Sequence, residues 1–295
     1  MDYEGQICRA PMERAAFMLP VAVGCSYNRC RFCMLFKHLK YRELPIEQVE
    51  AELRRVRSVG GNPRRVFLGD GNAFGLKSEQ LLAILELIRR YFPDFQEANM
   101  DATVTNIRMK TDEELRRLSE AGVRHLYIGI ECGLDDVLSA MDKDHNLQEV
   151  YEAIERIQAV GMTYDAHMMT GIAGKGRGME NAERMAEFYN RTGPGRIINF
   201  SLFIHTGSPL YQDIAAGKFI PASELENLEE ERRLLELLSV DELEYDGFHD
   251  FIAYRVRGKL PKDRRKMLAS LDSCIREYRK KEEIIAYVQS IPGQP

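Results

Sequence analysis

Apolar residues recur along the chain in two alternating patterns, short aliphatic or β-branched runs and longer stretches with helical spacing. This alternation is typical of βα units that build a parallel sheet. Helices are predicted between the short runs, with a capping box at Thr111 and Glu114 and a terminator at Gly122. The short runs predict six strands, at residues 18–23, 66–68, 99–104, 125–130, 164–170 and 197–203.

Six successive βα units predict an α/β fold, a partial (β/α)6 TIM-type barrel with a C-terminal helical extension. The loops after the strands of such a barrel collect on one face. We expect the barrel over residues 1–216, and we expect residues 217–295 to cover its open edge. Within this extension, helices are predicted at residues 224–238 and 262–287 with an irregular aromatic segment at residues 245–254. The charged run at residues 226–236 is interpreted as a solvated helix face.

Composition narrows the class of protein. The 295 residues include 41 Lys and Arg against 46 Asp and Glu, a net charge of −5, and 44% are hydrophobic. This balance is that of an ordinary globular protein and speaks against a nucleic-acid or membrane surface. The longest nearly apolar run, residues 15–24, is shorter than the roughly 18 residues of a spanning helix. Without a signal-peptide pattern, we expect a cytoplasmic protein that does not bind membranes.

Three of the six cysteines, Cys25, Cys30 and Cys33, lie close together directly after the first predicted strand. In a reducing compartment such a group is more often a metal site than a disulfide framework. Structural zinc usually requires four ligands in two pairs, and no second pair exists. Plant-type ferredoxins share the C-x4-C-x2-C spacing but need a fourth cysteine, and the next one is Cys132. Three thiolates can instead hold three irons of a 4Fe-4S cluster and leave the fourth iron open.

This cysteine loop resembles that of the radical S-adenosylmethionine (SAM) superfamily, in which an aromatic residue, here Phe32, precedes the last cysteine. The common spacing in that superfamily is C-x3-C-x2-C, so this chain carries one extra residue. The resemblance implies a 4Fe-4S cluster on Cys25, Cys30 and Cys33, with SAM bound at the open iron. It also implies reductive cleavage of SAM to a 5′-deoxyadenosyl radical that abstracts hydrogen from a substrate.

Two further motifs follow the second and fourth predicted strands. Gly69, Asp70 and Gly71 resemble the family's Gly-Gly-Glu motif, which receives the SAM amino group. A dinucleotide fingerprint is the alternative interpretation, but its third glycine comes one residue too late and no acidic residue ends the next strand. Residues 129–133 resemble the pattern Gly-x-Glu-Ser-Gly, which makes Glu131 a candidate for the SAM ribose or amino group. Cys132 replaces the serine and is either a small buried thiol or a hydrogen-atom donor.

The fifth and sixth predicted strands supply the remaining candidates. Residues 171–174 resemble a motif whose backbone flanks the SAM adenine, and Lys175 or Arg177 could meet the SAM carboxylate. Residues 205–211 resemble the family's Pro-Gly-Thr-Pro-Leu-Tyr segment. His205 departs from that segment and is a candidate for substrate contact, as is His167 inside the fifth strand. The adenine candidates are Gly171, Ile172 and Gly174.

The resemblance implies a single-cluster radical SAM enzyme that acts on a small molecule by rearrangement, oxidation or C–C bond chemistry. An external one-electron reductant such as flavodoxin or ferredoxin is the expected partner. The lack of a second cysteine cluster disfavours sulfur insertion, and the lack of room for a cobalamin domain disfavours cobalamin-dependent methyl transfer. Two alternatives stay open, a non-catalytic iron-sulfur carrier and a radical SAM enzyme that modifies a protein, peptide or tRNA. No basic RNA-binding module is visible, so nucleic acid is not an expected partner.

Overall fold

A computed structural model describes residue 4 and residues 8–289. Three short 3-10 helices lie at Pro11–Glu13, Ala73–Gly75 and Asp250–Ile252. The strands are β1 (Phe17–Pro20), β2 (Ala22–Val23), β3 (Arg42–Glu43), β4 (Arg65–Gly69), β5 (Glu97–Ala102), β6 (Val123–Glu131), β7 (Thr163–Thr170), β8 (Arg196–Ser201), β9 (Ile204–His205), β10 (Glu244–His249), β11 (Tyr254–Lys259) and β12 (Tyr287–Val288). The α-helices are α1 (Ile46–Ser58), α2 (Ser78–Tyr91), α3 (Val104–Arg108), α4 (Asp112–Glu120), α5 (Asp135–Ala140), α6 (Leu147–Ala159), α7 (Gly178–Thr192), α8 (Pro209–Ala215), α9 (Glu224–Leu237) and α10 (Arg264–Tyr278).

Eight strands form one sheet in the order β1-β4-β5-β6-β7-β8-β10-β11. All neighbours are parallel except β10 and β11, which are antiparallel. The first six strands correspond to the six predicted strands, so the predicted α/β partial barrel is confirmed. The predicted capping box of α4 is also present, with the Thr111 side chain accepting from Glu114 N. None of the helices in the described ranges has the length and hydrophobicity needed to cross a bilayer.

The C-terminal part of the chain extends the sheet. The prediction of an irregular segment at residues 245–254 is wrong, because β10 pairs in parallel with β8 and β11 pairs with β10. The last helix ends at Tyr278 instead of residue 287, and β12 pairs with β9. Asp246 and Gly247 are poor strand formers, so the strand depends on hydrogen bonds offered by the edge of β8. The division at residue 216 stays a prediction.

Helix α9 carries buried charge, contrary to the predicted solvated face. Glu230 and Glu231 are fully buried, because α9 packs against α7, α10 and β7. His249 lies between two carboxylates, with its ring nitrogens 3.1 Å from Glu224 Oε2 and 3.0 Å from Glu231 Oε2. Burial lowers the pKa of His249, but the two carboxylates outweigh it and raise that pKa to about 9. The pair of carboxylates therefore encloses an imidazolium ion near pH 7.

The segment before β1, residues 8–16, packs into the barrel interior, with Cys8 near Asp70 at one end and Glu13 near the amino ends of the strands at the other. The Glu13 carboxylate is fully buried there and accepts hydrogen bonds from Asn99 (3.0 Å), the Tyr127 hydroxyl (2.7 Å) and Arg196 (3.0 Å). These three donors lie on β5, β6 and β8. Apolar residues of the segment, including Ala10, extend the same contact toward the strands. One carboxylate thus ties the segment to three strands and closes this end of the barrel.

Replacement of that carboxylate tests the closure. Glu13→Ala leaves Arg196 with fewer partners in a buried site, so we expect the free energy of unfolding to fall by about 3 kcal/mol. Denaturant unfolding of the variant and the wild type measures the difference. Glu47→Ala, on the exposed side of α1, removes a charge without a buried partner and is expected to change stability by less than about 0.5 kcal/mol. Equal stabilities for the two variants would contradict the role of Glu13.

Candidate active site at the carboxyl ends of the strands

The cysteine loop, residues 24–33, follows β2 and is held from two sides. On one side, Ser26 donates from its backbone N and its hydroxyl to Asn72 Oδ1, both at 3.1 Å. On the other side, Arg31 N donates to Met141 O at 3.0 Å and the Tyr27 hydroxyl donates to Asp142 O at 2.6 Å. Asn72 belongs to the loop after β4, and residues 141 and 142 follow α5. The cysteine loop is therefore fixed between the segments that follow β4 and β6.

Cys25, Cys30 and Cys33 are unpaired thiols, each partly buried. Burial raises the pKa of Cys30 to about 11 and raises that of Cys33, so these two thiols are neutral near pH 7 unless a cation binds them. No three His, Cys, Asp or Glu side chains in the described part of the chain converge on a single metal ion. Each thiolate of a 4Fe-4S cluster binds a different iron, so the three cysteines need not converge on one point. Three free thiols on one anchored loop therefore fit a cluster.

The loop after β4 brings Gly69, Asp70 and Gly71 against the cysteine loop. Gly71 has a φ of +56°, and a side chain there would collide with the backbone of Gly24 and Cys25. Asp70 is 6% exposed, and its Oδ1 has no hydrogen-bond partner among the described residues. An unsatisfied buried carboxylate oxygen requires a donor, and an ammonium group supplies one with opposite charge. The SAM amino group predicted here fits this position.

Glu131 ends β6 in an unusual backbone conformation. Its φ is +68°, in the left-handed region, and the register with β7 shifts between Gly129 and Glu131. The carboxylate Oε1 lies 3.3 Å from Lys143 Nζ, and both side chains are largely buried. Burial lowers the pKa of Lys143, but the charges of Glu131 and Cys30 outweigh it and raise that pKa. A cation thus lies between the predicted SAM ligand and a predicted cluster ligand.

Gly171 and Gly174 form a turn after β7, with φ values of +82° and +81°. Gly174 N donates to Gly171 O at 3.0 Å, and only glycine adopts this pair of conformations without strain. Ile172 is fully buried in an apolar cluster that also contains Cys132 and packs against Phe32. The structure therefore joins the loops after β6 and β7 and the cysteine loop by apolar contact.

The structure gives Arg177 and Cys132 other partners. The Arg177 guanidinium contacts Asp136 at 2.7 Å and Glu180 at 3.1 Å, so two carboxylates already satisfy it. Its predicted contact with the SAM carboxylate stays a prediction. Cys132 is fully buried, and its thiol donates to Asn181 Oδ1 at 3.1 Å. Burial raises the pKa of this thiol, which is the behaviour of a neutral donor.

The two candidate histidines lie in different places. The His167 ring stands between the rings of Tyr127 and Phe200, with centroids 5.9 and 6.1 Å away, inside the barrel. Burial lowers the pKa of His167, so the imidazole is neutral near pH 7, and its Nε2 has no hydrogen-bond partner among the described residues. His205 lies on β9, beside Val288 of β12, outside the main sheet.

Sequence reasoning missed two ionisable groups of the site. Asp101 lies near the end of β5, where burial and the charges of Asp70 and Glu13 raise its pKa to about 8. The alternation of apolar Ala98, Met100 and Ala102 could have placed Asp101 on the opposite face of the strand. Lys143 carries no such signal, because its position depends on the turn after α5.

Comparison with known proteins places the chain in a family. A family model described as the radical SAM superfamily matches residues 19–189, more than half of the chain. The heme chaperone HemW of Bacillus subtilis (strain 168) is 26% identical over 153 residues, 50% of this chain and 40% of that protein. The tRNA-2-methylthio-N(6)-dimethylallyladenosine synthase of Chlorobium luteolum (strain DSM 273 / BCRC 81028 / 2530) is 23% identical over 167 residues, 55% of this chain and 37% of that protein. The chain thus spans about two fifths of the length of these curated relatives.

Among solved structures, methylornithine synthase (PylB) superposes with a TM-score of 0.54 at 12% identity, covering 94% of this chain and 71% of that one. At this identity the similarity shows the fold, and it extends through the C-terminal strands. The family model covers the cysteine loop and every strand from β2 to β7. The chain therefore belongs to the radical SAM superfamily, whose enzymes use a 4Fe-4S cluster and S-adenosylmethionine.

Proposed function

We propose that this protein is a single-cluster radical SAM enzyme that abstracts hydrogen from a small-molecule substrate held inside the barrel. The observation that carries the proposal is the anchoring of the cysteine loop between Asn72 on one side and Met141 and Asp142 on the other. This arrangement gathers three thiols, an unsatisfied carboxylate and two glycine turns at one end of the sheet. A cluster held by Cys25, Cys30 and Cys33 would supply the electron for reductive cleavage of SAM.

In this proposal the residues of the chain bind and orient SAM. Cys25, Cys30 and Cys33 hold the cluster. Asp70 accepts hydrogen bonds from the SAM amino group, because its buried Oδ1 lacks a donor. Glu131, held by Lys143, presents its second oxygen to the SAM ribose or amino group. The SAM adenine lies beside the turn from Gly171 to Gly174, whose φ values of +82° and +81° require glycine.

The barrel interior supports a small substrate. Glu13 and its segment fill the amino end of the barrel, so we expect a substrate to enter from the carboxyl ends of the strands. Two groups inside the barrel are suited to bind polar parts of a substrate. His167 is neutral with an unpartnered Nε2, and Asp101, with a pKa of about 8, is mostly protonated near pH 7 and can donate. Their position inside the barrel favours a small molecule over a protein or folded RNA.

Family enzymes of this type need an external reductant and a substrate, and we propose flavodoxin or ferredoxin in the cytoplasm as the reductant. In this hypothesis His205 remains a candidate for substrate contact, and Cys132 remains a candidate hydrogen-atom donor. The hydrogen bond from Cys132 to Asn181 favours its simpler role as a buried thiol. The chaperone and tRNA-modifying relatives match about half of this chain, so their named activities do not define its substrate.

The first prediction concerns the cluster ligands. Protein reconstituted with iron and sulfide under anaerobic conditions, reduced and given SAM is expected to release 5′-deoxyadenosine, measured by mass spectrometry. Cys30→Ala is expected to lose both the cluster absorbance and the product, because two thiolates do not retain the cluster. Cys274→Ala changes a buried thiol on the remote helix α10 and is expected to keep both. Wild-type levels of 5′-deoxyadenosine from Cys30→Ala would refute the assignment of the cluster ligands. A stable cluster in the wild type that neither binds nor cleaves SAM would favour the alternative of a non-catalytic iron-sulfur carrier.

A second prediction separates SAM binding from cluster binding. Asp70→Ala is expected to weaken SAM binding by about tenfold or more, since it removes a charged hydrogen bond. The iron content is expected to stay at the wild-type level, because Asp70 is not a cluster ligand. Anaerobic calorimetric titration with SAM measures the affinity. Asp241→Asn, at an exposed position, serves as the control, and an unchanged affinity in Asp70→Ala would remove Asp70 from the site.

A third prediction concerns pH. Burial raises the pKa of Asp70 from 3.8 to about 6, although backbone hydrogen bonds from Gly71 and Cys8 act in the opposite direction. Between these two values the native protein binds a proton that the unfolded chain has lost, so stability falls as pH rises through this window. In protein without cofactors, Asp70→Asn is expected to be more stable than wild type by about 2 kcal/mol near pH 7 and equally stable near pH 4. Urea unfolding at the two pH values measures this, and a difference that does not change with pH would contradict it.

A further inference from the structure

One buried carboxylate of α9 is linked to both loops that the proposed function assigns to SAM, directly to one and through Asn181 to the other. Glu230 Oε2 accepts a hydrogen bond from Gly171 N at 2.8 Å, and Oε1 accepts one from Asn181 Nδ2 at 2.7 Å. Asn181 Oδ1 in turn accepts from Gly133 N at 2.8 Å and from the Cys132 thiol at 3.1 Å. A continuous chain of hydrogen bonds therefore runs from the turn after β7, through α9 and α7, to the loop after β6.

The side chains of this hydrogen-bonded network are buried. Glu230, Asn181 and Cys132 are each 0% exposed. The surrounding backbone is closely packed. A Cβ added at Gly133 would lie 2.9 Å from Met185 N, and one added at Gly178 would lie 3.0 Å from Glu230 Oε2. The distances therefore leave little space in which either loop could shift without breaking a hydrogen bond.

The direction of each hydrogen bond in this network is fixed. The backbone N–H groups of Gly171 and Gly133 can only donate, so Glu230 Oε2 and Asn181 Oδ1 must accept. Asn181 must then turn its amide nitrogen toward Glu230 and its oxygen toward Gly133. No ion pair within the described residues involves Glu230, and a buried carboxylate without a cation is costly. What the carboxylate provides at this position is two acceptor atoms, one for each loop.

The neighbouring carboxylate makes a parallel connection. Glu231 Oε1 accepts from Asn199 Nδ2 at 3.0 Å, and Asn199 Oδ1 accepts from Thr170 N at 3.1 Å. Two successive glutamates of α9 are thus linked to two successive backbone amides at the end of β7. Glu230 binds Gly171 N directly, and Glu231 is linked to Thr170 N through Asn199. Only Glu230 also reaches the loop after β6.

We infer that Glu230 and Asn181 are positioning residues that fix the distance between the loop of Glu131 and the turn from Gly171 to Gly174, so that both contact one SAM molecule. This inference rests on the proposed function, because that function assigns the two loops to SAM. Neither residue touches SAM in this arrangement. Their effect is to hold the two loops in place before SAM binds, which removes an ordering cost from binding.

The polarity of the network supplies the test. Glu230→Gln introduces an amide nitrogen, which must face a donor at either Gly171 N or Asn181 Nδ2. Asn181→Asp introduces a carboxylate that faces the carboxylate of Glu230. Glu230→Gln is expected to weaken SAM binding by about tenfold, since it breaks one buried hydrogen bond. Asn181→Asp is expected to do the same at a pH high enough that the two facing carboxyl groups do not share a proton.

The double variant Glu230→Gln with Asn181→Asp restores every hydrogen bond, and only the bond between positions 230 and 181 is reversed in direction. The new amide oxygen at position 230 accepts from Gly171 N, and its nitrogen donates to the new carboxylate at position 181, which still accepts from Gly133 N. SAM affinity is therefore expected to return to within about threefold of wild type. Glu229→Gln removes a charge from the outer side of α9, where Glu229 pairs with Arg279 at 2.7 Å, and is expected to have no effect.

The measurements are anaerobic calorimetric titration with SAM, iron content and melting temperature for the wild type and these four variants. Weak binding in both single variants that keep their iron and stay folded at the assay temperature, and recovery in the double variant, supports the inference. Wild-type affinity in the single variants overturns it, as does failure of the double variant to recover. A loss of affinity that only follows a loss of iron or unfolding at the assay temperature also overturns it, because the pair would then be merely structural. A cluster-loaded wild type without SAM affinity overturns the proposed function and this inference with it.

Discussion

Carboxylates removed from water are the constraint on which much of this structure depends. A buried carboxylate must accept hydrogen bonds from whatever donors the fold can bring to it. Glu13 accepts hydrogen bonds from residues of β5, β6 and β8. Glu231 accepts them from one residue of β8 and from two residues of β10, one of which is His249. Glu230 takes one donor from the end of β7 and one from α7. Segments that are distant in sequence are joined because each of these groups needs several partners.

Two factors assemble the site: the hydrogen-bonding needs of buried polar groups and the common direction of the parallel strands. Parallel strands bring their carboxyl ends to one edge, which gathers the loops after β4, β6 and β7. Hydrogen bonds then fix these loops relative to one another and to the cysteine loop. Asn72 and Met141 hold the cysteine loop, and Asn181 joins the two loops after β6 and β7. Asp70 lies in the loop after β4, against the cysteine loop, and one of its oxygens lacks a donor in the described residues.

Much of the barrel and the cluster loop could be predicted from sequence, because both have local signatures. Apolar runs marked the six strands, and three closely spaced cysteines marked the loop. Strand β10 was missed because Asp246 and Gly247 carry no strand signal and the pairing comes from β8. The buried state of Glu230 and Glu231 was missed because charged residues on a helix are exposed by default. Their burial follows from the packing of α9 over α7, a contact between distant parts of the chain.

The closed amino end of the barrel has a kinetic consequence. Because Glu13 and its segment occupy that end, a ligand that reaches His167 must pass the carboxyl ends of the strands, so a ligand that lies deeper enters first and leaves last. If the substrate lies beside His167 and SAM lies nearer the cysteine loop, the two cannot exchange places without one departing. Glu13, at the opposite end from the cysteines, would then help to impose an obligatory order on turnover.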